Sequence, residues 1–582
     1  MLTAVTQSQI PNGRHGHGSG QEALLQGPPV GRMASRRRAV LMRETKRRRV
    51  LANRAAKQER RRRTRKGRRY RAWRHLTRDQ QEVARRLTAG RIDLVTISGW
   101  GIVSSFLAFL DELSFFALLD LEGKGFKRVL IPIARLILTY QLKIFLGIGA
   151  INLVPAKLFR EIALLQLIGD TTTQMQVGFC QRGHLDRGPM HKNTLADAVE
   201  RLSADDLAAV LNGTAHRLAE RGFFATSKGH FALDASDLPT TDKYIGAGLL
   251  TKTEKKVTKD RKIVEVERYV YGFQVFVVYE VRLRLIVAAT VVPIQERETR
   301  HTLALVRQAV ANLGPGVLRV LLMDRGFLDG ADLWVLTHDL GIDFVVPAKD
   351  KMRVRADAQA LSRREADGES IFAQDRAGTR KERKDGRVRW DGQVTVVGVA
   401  ALTSYDQYGT AEHAAQATCR AFVGNALNVV VVTRWQGDEY APGEEKVFLT
   451  SLPIEQPLSV LDLYDLRSLI ENTAFRELKQ GWGLEHYPKK TEAAVRGHVF
   501  LTLVTFTLAN AFRTHQGQDL AQHGVRRQRA EEESAKVIVF AGEHYAIFDI
   551  EEVFVLLGVI PRLCFTTDPD QVRYRHGLSS VA

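Results

Sequence analysis

The spacing of apolar residues changes character along the chain, and each change marks a different kind of element. Between about 89 and 222 the spacing is helical. Phe159–Gly169 (FREIALLQLIG) is amphipathic, and Lys192–Leu202 (KNTLADAVERL) has an Asn-Thr start ahead of apolar residues at helical spacing. Val129–Pro155 is a longer apolar run interrupted by Arg135 and Lys143, and Asp111 and Glu112 interrupt the run before it. Both are expected to be buried helices, because uncompensated charges are costly in a membrane span. From about 223 the period shortens to that of strands. Phe231-Ala232-Leu233 leads into Asp234, Tyr269–Glu280 and Arg284–Val292 are β-rich, Thr299–Leu313 is helical, and Val317–Met323 is a strand ending at Asp324. A helix over about 328–340 and a strand over Asp343–Pro347 complete the series.

Strand, strand, strand, helix, strand, helix, strand is the order of a ribonuclease H-like core, in which the first and fourth strands lie side by side. Asp234 and Asp324 are thereby predicted to converge. Residues of about 351–455 interrupt this core with a β-leaning segment (Val394–Leu402, Arg420–Val423, Val429–Trp435, Val447–Leu452), and a long helix over about Val460–Gln480 then carries Glu471. The predicted fold class is α/β, a ribonuclease H-like core with a β-rich insertion, preceded by an all-α N-terminal region. The expected domains are a basic arm at 1–88, a helical DNA-binding region at 89–222, the core at 223–350 and 456–515 around the insertion at 351–455, and a C-terminal module at 516–582. Phe159–Gly169 and Lys192–Leu202 around their polar link suggest a helix-turn-helix-like reader, although a link from Asp170 to Met190 is long for that motif.

Charge changes this picture in one place only. The chain of 582 residues has 85 Lys and Arg against 65 Asp and Glu, a net of +20. Between Arg32 and Arg78 stand 22 basic residues and two acids, Glu44 and Glu59, so the rest of the chain is balanced at 63 of each sign. An arm of this kind suits phosphate neutralisation with counterion release, so DNA is the expected partner. Met33 stands just before the bulk of the arm and is a candidate start, which would leave residues 1–32, rich in Gly, Gln and Pro, ahead of it. Cys180, Cys419 and Cys564 have no C-x-x-C spacing, which excludes a disulfide framework and implies a reducing compartment. Cys180 and His184 are one helical turn apart, but a zinc site needs a second pair. The first apolar stretch is too short and polar for a secretory signal. The expected location is cytoplasmic and nucleoid-associated, with no membrane partner.

Phosphoryl transfer by divalent metals needs several carboxylates aimed at one point, since Mg²⁺ prefers hard oxygen ligands. Asp234, Asp324 and Glu471 are the catalytic and metal-ligand candidates, for two Mg²⁺ ions with Mn²⁺ as a substitute. On the helix, Tyr464, Arg467 and Glu471 are at i, i+3 and i+7 and share one face. A guanidinium there suits bidentate contact with a phosphate.

With Tyr464, Arg467 and Glu471 in that spacing, the chain resembles DDE transposases of the insertion-sequence-four family, whose mark is Tyr, two residues, Arg, three residues, Glu, six residues, Lys. The fourth place is Leu478 here, and the nearest lysine is Lys479. In a straight α-helix one position is about 100° of phase, which would swing Lys479 off the shared face. Lys479 also stands near the helix end before Gly481, and Arg476 is an alternative. Further likeness lies in Asp234-Ala-Ser-Asp237, in Asp324-Arg325-Gly326-Phe327 and in Gly483–His498 (GLEHYPKKTEAAVRGH), covering about 223–515. The resemblance implies metal-dependent cleavage of element-end DNA and strand transfer to target DNA by a homodimer, with Tyr464, Arg467, Lys479, Arg476 and Arg325 as DNA contacts. It also makes Trp390 and Trp435 candidates for stacking on a flipped base, and His230, His486 and His498 could approach the acids. The same acids fit a ribonuclease H-like nuclease without strand transfer. The arm alone would fit an inactive transposase-derived DNA-binding protein, or, with the apolar helices, a membrane-surface protein.

Overall fold

The computed structural model describes residues 76–98, 101–123, 125–126, 131–170, 189–257, 263–377, 393–410, 424–436, 439–440, 445–516, 536–557 and 569–578. The arm up to residue 75, Cys180, His184 and Trp390 lie outside them, as do Cys419, Cys564 and Arg420–Val423.

The body is mixed α/β, built on one large mixed sheet. A short strand β1 (Thr77–Arg78) and β2 (Leu94–Ser98) precede it in the chain. The sheet begins with β3 (His230–Thr240), β4 (Gly248–Val257), β5 (Ile263–Glu280) and β6 (Leu285–Pro293), followed by β7 (Val320–Met323) and β8 (Asp343–Pro347). β5 pairs antiparallel with β3, β4 and β6, while β3, β7 and β8 run parallel as neighbours. The first and fourth expected strands, β3 and β7, do lie side by side. Their helices are α6 (Thr302–Leu313) between β6 and β7 and α7 (Gly330–His338) between β7 and β8. β4 was not among the expected strands. Its Lys252-Thr-Glu-Lys-Lys256 stretch has no apolar face to reveal it.

The β insertion does not stand apart from the core, as an interrupting segment would. It consists of β9 (Ile371–Ala377), β10 (Gln393–Leu402), β11 (Leu427–Gln436), β12 (Glu439–Tyr440) and β13 (Lys446–Thr450). β13 pairs with β8 through Phe448↔Pro347, Leu449↔Val346 and Thr450↔Val345, and the order then continues β11, β10, β9. An edge strand presents unpaired backbone donors and acceptors, and β13 satisfies those of β8. The sheet is thus lengthened.

The helical region packs into the same hydrophobic core as the sheet and does not form a separate domain. It holds α2 (Gly101–Glu112), α3 (Ile133–Phe145), α4 (Lys192–Arg201) and α5 (Ala204–Glu220), preceded by α1 (Gln80–Thr88). Ser203 caps α5 by accepting from the Asp205 and Asp206 amides, with both acids in the first turn where the helix dipole favours them. The polar face of α4 is engaged: Lys489 Nζ lies 2.5 Å from both Asp197 and Glu200. A helix presenting two acids is poorly suited to reading DNA. The centre of the packing is α10 (Glu492–His515), buried from Ala494 through Phe512 except at Arg496. Among the described residues it is the one helix long and apolar enough to cross a membrane, yet α3, α4, α5 and β6 surround it. Gly497 permits this closeness, since a Cβ there would stand 2.8 Å from the Val199 carbonyl on α4. Inside α3, Arg135 is ion-paired with Asp170 at 3.0 Å, both side chains almost wholly buried.

Two boundaries also move. The arm was expected to run to residue 88, but Gln80–Thr88 is a helix capped by Asp79. Its Val83, Ala84 and Leu87 pack against Val537, Val539, Ala546 and Phe548 of β14 (Lys536–Ala541) and β15 (His544–Phe548). β14 pairs with β2 from Lys536↔Ser98 to Phe540↔Leu94, and β1 lies along β15. The C-terminal module is therefore half made of residues 76–98, and the region from 89 is not helical throughout.

Candidate active site

Asp234 lies within β3 and not at its end, because the strand continues to Thr240. What ends there is the pairing with β7: the last pair is Leu233↔Met323. Asp234 and Asp324 are each the first residue past it, on adjacent parallel strands. Neighbouring strands are about 4.8 Å apart, so both acids start from adjacent points. Asp324 then leads into a 3₁₀ turn, Arg325–Phe327, anchored by buried Phe327. The main chain helps hold Asp234, whose Oδ1 accepts from the Ala235 amide at 2.8 Å.

Glu471 arrives on a helix that is not the continuous one expected. α8 (Pro457–Asp465) ends in a turn, a π-helical turn spans Ile470–Phe475, and α9 (Arg476–Gln480) follows. Tyr464, Arg467 and Glu471 still meet. Arg467 Nη1 donates to Asp234 Oδ2 at 2.9 Å and Nη2 to Glu471 Oε1 at 2.8 Å, so one guanidinium ties sheet to helix. Its Cζ lies 5.8 Å from the centre of the Tyr464 ring, within cation–π range, and that ring packs on Phe448 at 4.4 Å.

The π-turn changes the helix phase that follows Glu471. An α-helix returns to the face of residue i near i+7, and a π-turn takes up one additional residue, moving that return to i+8. Leu478, the expected lysine position, is fully buried. Lys479 instead reaches back to β3, its Nζ donating to the Asp237 carbonyl at 2.6 Å and lying 3.1 Å from Glu485. Lys252 on β4 pairs with the Asp237 carboxylate at 2.6 Å, so two lysines flank the residue three places beyond Asp234.

Burial dominates the electrostatics. It pushes the Asp234 carboxyl up to about 7, against the lowering by Arg467 and the Ala235 amide, while Glu471 and Asp324 push it further up. Burial likewise raises Tyr464 to about 12. For Arg467 burial acts downward but is outweighed by Tyr464, Asp234 and Glu471, which shift it upward and keep it charged. Glu471 is half exposed, so its side of the site faces solvent. Among the described residues no three His, Cys, Asp or Glu side chains already stand as a metal cage. The oxygen donors are of the right kind for a hard cation, but two of the three acids are held on Arg467.

The residues that carry this geometry fall inside one family match: residues 225–508 fit the sequence model for the transposase DDE domain. That part of the chain belongs to the transposase DDE domain family. No curated protein matches the chain. Among solved structures it is similar to a piggyBac transposase in a synaptic complex with hairpin DNA, at 9% identity and a TM-score of 0.33, over 75% of this chain and 81% of that one. A likeness that loose bears on neither fold nor chemistry.

The transposase domain thus runs from just before β3 to within α10, taking in Asp234, Asp324, Glu471 and the added strands. Of the other expected DNA contacts, Arg325 is exposed on the turn after Asp324. Arg476 is exposed as well, and its Nε reaches only as far as Gln480. Trp435 belongs to β11, opposite Tyr440. His498 is a packing residue, enclosed between Tyr140 and the Gly483 carbonyl. His230 begins β3, four residues before Asp234. Two residues near the acids escaped the sequence reading. Lys252 sits in the unanticipated strand, and Glu298, in a 3₁₀ turn before α6, has its carboxylate against Gly326. In the sequence both belong to ordinary charged stretches.

Proposed function

We propose that the chain is an insertion-sequence-four type DDE transposase that cuts the ends of a DNA element and joins them to target DNA, on a ribonuclease H-like core. The observation that carries this reading is the pairing of β3 with β7, which starts Asp234 and Asp324 from adjacent points while Arg467 draws Glu471 to the same place. The strand order β6-β5-β3-β7-β8, with β3, β7 and β8 parallel, supports the ribonuclease H-like assignment.

In this reading Asp234, Asp324 and Glu471 hold two Mg²⁺ ions, for which Mn²⁺ substitutes. Bound there, such ions polarise the phosphoryl group and activate the attacking oxygen. Arg467 is placed to pass its planar fork from carboxylates to a phosphate, two oxyanions that it fits equally well. Tyr464 limits its swing through the ring contact. Lys479 and Lys252 beside β3 supply charge along the phosphate backbone, with Arg325 at the turn and Arg476 further out. The basic arm adds sequence-independent affinity. Two copies on two element ends, in the nucleoid, complete the reading.

The test is a plasmid carrying the gene with its flanking DNA, incubated with the full chain, Mg²⁺ and a supercoiled target. Joined products that disappear with Asp324→Ala are expected. Cutting without joining would favour a ribonuclease H-like nuclease, and DNA binding without either would leave a transposase-derived binding protein.

A further inference from the structure

Charge compensation at the site is lopsided. Arg467 serves Asp234 and Glu471, whereas neither Asp324 nor Glu298 has a side-chain hydrogen bond or an ion pair among the described residues. Glu298 is half-buried in the turn Glu298–Arg300. A Cβ at position 326 would lie 1.5 Å from Glu298 Oε2 and 3.2 Å from Oε1, so its carboxylate rests directly on Gly326, two residues after Asp324. A side chain at 326 would displace that carboxylate. Asp324 and Asp237 both act on Glu298 as like charges, and Lys349 is the opposing one. Holding a half-buried carboxylate beside others of its sign is unfavourable unless a cation joins them.

We propose that Glu298 is a fourth carboxylate of the site and that it joins Asp324 in ligating one of the divalent cations. This rests on the reading of the three acids as a metal site. It accounts for the glycine after Asp324-Arg325 and for the carboxylate turned onto it. It also divides the acids into a half that Arg467 neutralises within the protein and a half that it does not.

The test is a titration of the full-length protein with Mn²⁺ alone, read by electron paramagnetic resonance of the free ion, for the native chain, Glu298→Gln, Glu296→Gln and Asp324→Asn. Glu296 is the matched control, an acid two residues away already paired with Arg300 and His301. The native chain is expected to bind two ions, Glu298→Gln to bind one of them at least about tenfold more weakly, and Glu296→Gln to leave both unchanged. Gly326→Ala, which displaces the carboxylate without removing it, should weaken the same ion and covers the case in which Glu298→Gln does not fold. Two ions bound within twofold of native affinity by Glu298→Gln and Gly326→Ala would overturn the role of Glu298 alone. A native chain that binds no Mn²⁺, or binding indifferent to Asp324→Asn, would instead overturn the metal-site reading beneath it.

Discussion

Two arginine–carboxylate groupings in this protein use the same chemistry for opposite ends. In the helical scaffold Arg135 is ion-paired with Asp170, with side-chain exposures of 1% and 0%. Burial raises Asp170 to about 6 against the lowering by Arg135. Where the pairing of β3 with β7 ends, Arg467 faces Asp234 and Glu471, with Asp324 and Glu298 close by and, among the described residues, no second arginine paired to them. The buried pair sets one charge against another inside the scaffold. The second grouping has more carboxylates than its one guanidinium pairs, with Lys349 opposing Glu298, and in the proposed reading a bound cation takes up the rest.

The contrast can be broken most severely at Arg135. Arg135→Ala strands a buried carboxylate and should cost about 3–5 kcal/mol in urea unfolding. A cost below about 1 kcal/mol would mean that the scaffold pair is not structural. His498, on the same side of the comparison, sets the acid limit. Its Nδ1 faces the Tyr140 hydroxyl at 2.8 Å and its Nε2 the Gly483 carbonyl at 2.9 Å, so one neutral tautomer, accepting from the tyrosine and donating to the carbonyl, satisfies both. Burial, helped by Lys143 and His486, lowers its pKa from 6.5 to about 3. The unfolded chain therefore binds the proton first. His498's contribution is complete above pH 6.5 and is lost as pH falls from there toward about 3, at roughly 1.4 kcal/mol per pH unit. Unfolding measured across that window should show a shallower acid limb for His498→Asn than for the native chain.

On the site's side the sign reverses. Asp324→Asn relieves like-charge repulsion, so the metal-free protein should gain about 0.5–1 kcal/mol in thermal unfolding, while DNA cutting falls by at least about a hundredfold. A loss of stability would place Asp324 with the structural acids. The smallest effect is expected at Lys479. Lys479→Ala should weaken binding of element-end DNA by about tenfold or less and reduce the salt dependence by about one phosphate. An unchanged salt slope would confine Lys479 to its contacts with Asp237 and Glu485.

The legible parts of this protein were the local ones. Apolar runs marked β3, β5, β6, β7 and β8, and their order made neighbours of Asp234 and Asp324, because parallel strands need helical crossovers and few topologies satisfy that. The lysine register was illegible for a physical reason. A π-turn has no pattern of its own, so the phase of Leu478 and Lys479 relative to Glu471 could not be read from the sequence. The union of residues 94–98 with 536–541 was equally hidden, since a strand's partner is chosen by the fold and not by its own residues. β4, without an apolar face, gave no signal of either kind.

The amino-acid sequence alone determined which acids stand at the ends of apolar runs, which arginine shares their helix face, and where the excess positive charge lies, because these follow from periodicity and counting. Only the tertiary structure decided that Arg467 spends itself on two of the acids, that Lys479 comes back to β3, and that Glu298 rests on the turn after Asp324. Each of those depends on distances across elements far apart in the chain. Electrostatics acts through those distances, not through sequence separation.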